Sequence, residues 1–190
     1  MTGKKIGFAI TGSHCTFAAI VDPLKKLMEG GDTLIPIISA SVAGTSTRFG
    51  QAEDWREAFE DICRHSVIDS IKGAEEIATN KLDVVVVAPC TGNTLAKLAN
   101  AITDTPVTMV VKAQLRNEKP VVLAISTNDG LAGNAANIGK LLDKKNVYFV
   151  PFSQDNPQEK PRSLVCNMSL LADTIDNAVQ GKQIQPILLR

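Results

Sequence analysis

The chain has 190 residues, 44% of them apolar, enough for one well-buried domain over 1–190 and too few for two comfortable ones. Twenty basic residues balance twenty acidic ones, so no global field draws the protein to nucleic acid or to an anionic membrane surface. Cys15, Cys63, Cys90 and Cys166 are too scattered for a disulfide framework, and with only His14 and His65 beside them they offer no zinc site; a reducing cytoplasm and no metal are expected.

The N-terminus passes from Met1-Thr2-Gly3-Lys4-Lys5 straight into a strand, Lys5 to Ile10, with neither the apolar core of a signal peptide nor a membrane span. That strand ends in Thr11-Gly12-Ser13-His14-Cys15-Thr16. A glycine in a strand-to-helix turn lets backbone N–H groups approach a phosphate, and hydroxyls at Thr11, Ser13 and Thr16 add neutral donors. The turn is neither G-x-G-x-x-G nor a P-loop, so an ordinary capped turn remains an equal reading. Asp22 as N-cap with Pro23 at N1 is expected to start or restart a helix running to Gly30-Gly31. The second strand, Leu34 to Ser39, ends in Ser39-Ala40-Ser41, where a dinucleotide-binding sheet would carry a ribose-binding carboxylate. Serines there suit a phosphate better.

Val42 to Ala52 lacks periodicity and reads as a long surface loop. Within it, Arg48 is the candidate for holding an acidic small molecule, because a guanidinium matches a carboxylate bidentately. Trp55, Ala58, Phe59 and Ile62 stripe a helix, and His65 near its end suits the helix dipole better than catalysis. Val84 to Ala88 belongs to a continuous apolar run, as a strand covered on both faces requires. The Ala88-Pro89-Cys90-Thr91-Gly92-Asn93-Thr94 segment then falls at the carboxyl edge of the sheet, although Asn93 and Thr94 serve equally as an N-cap for the helix striped by Leu95, Leu98, Ala99 and Ile102. Lys112 and Arg116, four apart on a helix, read as solvated charges.

A fourth strand, Val121 to Ser126, leads into Ser126-Thr127-Asn128-Asp129-Gly130. This is turn chemistry in which Asn128 could also hold a polar substrate group. Val147 to Pro151 is the fifth strand, Ser153 to Arg162 a second long loop, and Leu164, Met168, Leu171, Ile175 and Val179 stripe a C-terminal helix. Strand and helix alternation implies an α/β fold with parallel pairing. If the first three strands are neighbours, Thr11 to Ser13, Ser39 to Ser41 and Cys90 to Thr94 converge on a crevice suited to a mononucleotide.

Pro89-Cys90-Thr91-Gly92-Asn93-Thr94-Leu95-Ala96-Lys97-Leu98-Ala99 resembles the P-A-S-A-N-T-[IL]-A-K-[IL]-A segment of the FMN-binding cysteine decarboxylase-like flavoproteins. Within them, Thr11-Gly12-Ser13-His14-Cys15-Thr16-Phe17, Gly44-Thr45-Ser46-Thr47-Arg48-Phe49-Gly50 and the Lys119 to Asp129 stretch make it most similar to the dipicolinate synthase B subunits. The resemblance implies a three-layer Rossmann-like fold with a mainly parallel sheet of five to six strands, and homo-oligomers built from trimers. It implies FMN on Gly12, Ser13, Ser39, Pro89, Thr91, Gly92, Asn93 and Thr94, with Arg48 and Asn128 facing a small dicarboxylate. It also implies oxidation of a dihydro- or tetrahydrodipicolinate-type precursor in the mother cell of a spore-forming bacterium. The partner it implies is the NAD(P)-dependent, dehydrogenase-like A subunit of dipicolinate synthase. The chain departs from the decarboxylases: neither histidine has the H-[IV]-x-L setting, and Ser126-Thr127-Asn128 keeps only the asparagine of P-A-M-N. A decarboxylase, a prenyl-transferring flavoprotein or a non-catalytic accessory protein remain the alternatives.

Overall fold

Valines 84 to 87 lie in the middle of the sheet and are fully buried, as an apolar run covered on both faces demands. The computed structural model describes residues 3–79 and 82–189. Its parallel strands are β1 (Lys5–Ile10), β2 (Thr33–Ile38), β3 (Val84–Cys90), β4 (Val121–Thr127) and β5 (Val147–Phe149), matching the five expected to within a few residues at their ends. They pair in the order β2-β1-β3-β4-β5, with Ile6 opposite both Leu34 and Val84, and Val121 opposite Val85 and Val147. The order reverses between β1 and β3, which is where an open sheet of this kind leaves a crevice at its carboxyl edge.

Helices α1 (Phe17–Glu29), α2 (Ala40–Gly44), α3 (Ala52–Cys63), α4 (Ile71–Thr79), α5 (Gly92–Ala99), α6 (Pro106–Arg116), α7 (Ala135–Leu142) and α8 (Leu171–Ala178) complete a three-layer α/β structure. One layer joins α1, α3 and α8, and the other α4, α6, α5 and α7. Among the described residues no helix is long and apolar enough to cross a membrane.

Five expectations need correction. Among the described residues the sheet has seven strands, because Ser153 to Arg162 is no loop but most of a hairpin, β6 (Phe152–Asn156) and β7 (Lys160–Cys166), added antiparallel to the end of β4. Its outer half is exposed, so it carries no apolar alternation to read. Consequently Leu164 and Met168 lie outside the C-terminal helix: Leu164 and Cys166, two apart, are buried from β7, and Met168 opens a 3-10 turn, Met168–Leu170, ahead of α8. Pro23 sits inside α1 instead of starting a helix, and Asp22 is no cap. Val42 to Gly44 belongs to α2, because Val42 is buried in the core, and Ile102 lies beyond the end of α5, after the left-handed Ala101.

Candidate functional site

The turn after β1 is fastened to the end of β3 by one side chain. The buried Thr11 hydroxyl donates to the Pro89 carbonyl at 2.7 Å and accepts the Thr91 N–H at 3.0 Å. Thr91 in turn caps α5, accepting from the Thr94 N–H at 3.4 Å, with the two hydroxyls 3.1 Å apart. These bonds hold the first and third strand ends side by side. Next to them, the Ser13, Thr16 and Ser126 hydroxyls form a mutually bonded triangle with sides of 2.7, 2.8 and 2.9 Å, drawn from the ends of β1 and β4.

A cleft of about 640 Å³ opens over this triangle. Gly12, Ser13, Thr91 and Gly92 line it, as does Asn128, the residue that the sequence suggests for a polar substrate group. Pro89 is buried beneath the surface with only its carbonyl engaged, Thr94 is buried in the cap network, and Asn93 is exposed on the first turn of α5; none of the three lines the cleft. Ser39 lies at the end of β2, and its Oγ is buried without a hydrogen-bond partner, as is His14 Nε2. The His14 Nδ1 sits 3.1 Å from the Gly12 carbonyl, so Nδ1 carries the proton. Arg48 does not line the cleft. Its guanidinium lies 4.9 Å from the centre of the Phe49 ring, on a loop held by the Trp55 indole N–H bonding the Phe49 carbonyl at 3.0 Å.

Sequence reasoning missed the far wall. Asp155, Lys160, Ser163, Leu164 and Val165 reach the cleft from the β6–β7 hairpin, along with Cys15 and Thr127 from the strand ends. The signal was present as Asn156-Pro157, a turn dipeptide, with Phe152 on one side and Leu164 and Cys166 on the other. Two glycines are required by close packing. A Cβ on Gly92 would lie 2.5 Å from Asn134 Nδ2 and 2.6 Å from Thr127 Oγ1, and one on Gly12 would lie 2.5 Å from Ser41 Oγ.

The titratable groups fall into two kinds. The Thr127 hydroxyl, and then the Asn134 amide at 2.9 Å, hold the Asp129 carboxyl below the usual range despite partial burial. Burial alone pushes Cys63 to about 12, and burial, opposed slightly by a backbone bond, pushes Cys166 to about 12. Cys90 is raised further, by burial and then by Cys166. These thiols stay protonated and pack; Cys15 alone among the described cysteines is exposed.

A family model described as Flavoprotein matches residues 1–179. The chain is 46% identical over all its 190 residues, and 95% of the relative's length, to the dipicolinate synthase B subunit of Bacillus subtilis strain 168. The crystal structure of the dipicolinate synthase B subunit from Bacillus halodurans superposes with a TM-score of 0.91 at 46% identity, covering 100% of this chain and 97% of that one. An FMN-dependent cysteine decarboxylase superposes with a TM-score of 0.68 at 19% identity over 92% of this chain and 97% of its own, a likeness of fold. The sheet order, the cleft at its carboxyl edge and the family match over nearly the whole length agree, and the chain belongs to the flavoprotein family.

Proposed function

We propose that this chain binds FMN at the ends of β1, β2 and β3. In this reading it acts with the dehydrogenase-like, NAD(P)-dependent A subunit of dipicolinate synthase to oxidise a dihydro- or tetrahydrodipicolinate-type precursor to dipicolinate. It does so in the cytoplasm of a sporulating cell, as a trimer-based homo-oligomer of a single-domain chain. The observation that carries this reading is the 46% identity, over all 190 residues, to a dipicolinate synthase B subunit.

The residues present fit the cofactor. Buried polar atoms are nearly always paired, and the Ser39 hydroxyl is an exception at the end of β2, where a phosphate oxygen would accept its proton. Gly12 on the β1 turn and the Thr91-Gly92 turn both line the cleft and would offer backbone to a phosphate and a planar ring. FMN, when bound, supplies the two-electron acceptor. The chain supplies placement: the Ser13, Thr16 and Ser126 hydroxyls give neutral donors and acceptors on the cleft floor, and Asn128 presents an amide to a polar group of the substrate. Arg48, stacked on Phe49 away from the lining, has no part in holding the dicarboxylate in this reading.

Titration of FMN with the purified chain tests the cofactor directly, and saturable quenching of flavin fluorescence is expected. Fluorescence that falls only in proportion to added protein, with no plateau, overturns the flavin assignment. Assay of each protein separately and of the pair tests the reaction. Oxidation by the pair only is expected, whereas full activity in the dehydrogenase-like partner by itself would make this chain an accessory.

A further inference from the structure

The hairpin brings full charges to the cleft. Among the described lining residues Lys160 is the one cation and Asp155 the one carboxylate, and they pair at 2.8 Å. Their side chains are 58% and 38% exposed, so the pair is solvated, weak and ready to exchange partners. The hydrogen bond to Asp155, then its charge, raises the Lys160 ammonium above the ordinary lysine value, and Cys15 is close enough to act on the same charge. An anion entering the cleft thus meets neutral hydroxyls on the floor and a single ammonium at the hairpin, already holding a carboxylate.

We propose that Lys160 anchors one carboxylate of the substrate and that Asp155 is an internal stand-in which the substrate displaces. This rests on the dicarboxylate reading above and names the residue that reads it. Giving up the exposed Asp155 pair offsets part of what the new carboxylate gains on Lys160, so one acidic group alone binds weakly. Net affinity therefore depends on a second acidic group reaching Asn128 and the hydroxyl floor. The arrangement selects for two carboxylates across a ring over one, because a mono-acid displaces Asp155 without bringing the second contact. Arg48 cannot substitute for Lys160, since it does not line the cleft.

Calorimetric titration of pyridine-2,6-dicarboxylate into the full chain, with and without FMN and with pyridine-2-carboxylate as control, tests this. Lys160→Gln is expected to weaken the diacid about tenfold or more, the scale of one charged hydrogen bond. Asp155→Asn is expected to tighten it several-fold by removing the competitor, and the double variant to stay weaker than the wild type, because the anchoring ammonium is gone. The wild type is expected to prefer the diacid, and flavin affinity to be unchanged in all variants. A Lys160→Gln chain that binds the diacid as the wild type does overturns the proposal, as does an Asp155→Asn chain weakened as much as Lys160→Gln. A wild type that binds FMN but no diacid overturns the anchor and leaves the cofactor reading intact. A wild type that binds no FMN while the diacid still responds to Lys160→Gln overturns the cofactor reading and supports the anchor.

Discussion

The Ser39 hydroxyl is surrounded by protein atoms that neither donate to it nor accept from it. An unsatisfied buried hydroxyl costs about 1 to 3 kcal/mol, so Ser39→Ala is expected to raise the melting temperature of the ligand-free chain while weakening FMN binding. The two effects have opposite signs, and a paired thermal melt and flavin titration reads both; a variant that melts lower and binds FMN unchanged would assign Ser39 to packing. Asp129 gives a pH signature. Its folded carboxyl titrates below the unfolded value of about 3.9, so its contribution is complete above that value and is lost as pH falls through the depressed one. Wild type and Asp129→Asn should therefore differ in urea midpoint near pH 6 and converge near pH 2. A difference that grows on acidification contradicts the assignment.

Elements differ in how much of them the sequence disclosed. The five parallel strands were readable because burial on both faces leaves unbroken apolar runs such as Val84 to Val87. The hairpin was not, since Gln154, Asp155, Lys160, Pro161 and Arg162 face solvent and carry no periodic trace of their pairing. That gap explains why the strand-end lining of the cleft, Gly12, Ser13, Thr91 and Gly92, was anticipated and its hairpin lining, Lys160 included, was not. Arg48, expected at the substrate, does not line the cleft; a loop without apolar pattern says nothing about which way its cation turns. Helix α1 shows tertiary packing overriding local preference. Phe17, Ile20, Leu24 and Leu27 are all buried along one face, and that burial holds Pro23 inside the helix although it lacks the N–H that would reach the Ala19 carbonyl. Pro23→Ala restores that bond and is expected to stabilise the chain by about 1 to 2 kcal/mol, the helix gain less the lost stiffness of the unfolded chain. A lower denaturation midpoint would show that the proline is better matched to its site than its helix position suggests.

At the scale of the whole molecule, FMN bound at the three strand ends as proposed would stabilise the sheet that presents them. A ligand at one hundred times its dissociation constant adds about 2.7 kcal/mol, which for a domain of this size raises the melting temperature by roughly 5 to 10 °C. Thermal melts with increasing FMN should climb with the logarithm of its concentration, and a flat response would show that the flavin does not bind the native fold. The two sides of β4 answer to different demands. Along its first half β4 pairs with β5, whereas at its end only Ser126 and Thr127 pair with Val165 and Leu164 of the hairpin, backed by the Ser163 hydroxyl on the Thr127 carbonyl at 3.2 Å. The base of that hairpin, Phe152, Leu164 and Cys166, is buried in the core, whereas its outer part, from Gln154 to Arg162, is largely exposed. Its tip can accept new residues, insertions or a different charge without asking the parallel strands to repack, so a change of substrate on this scaffold needs to rewrite one turn and not the protein.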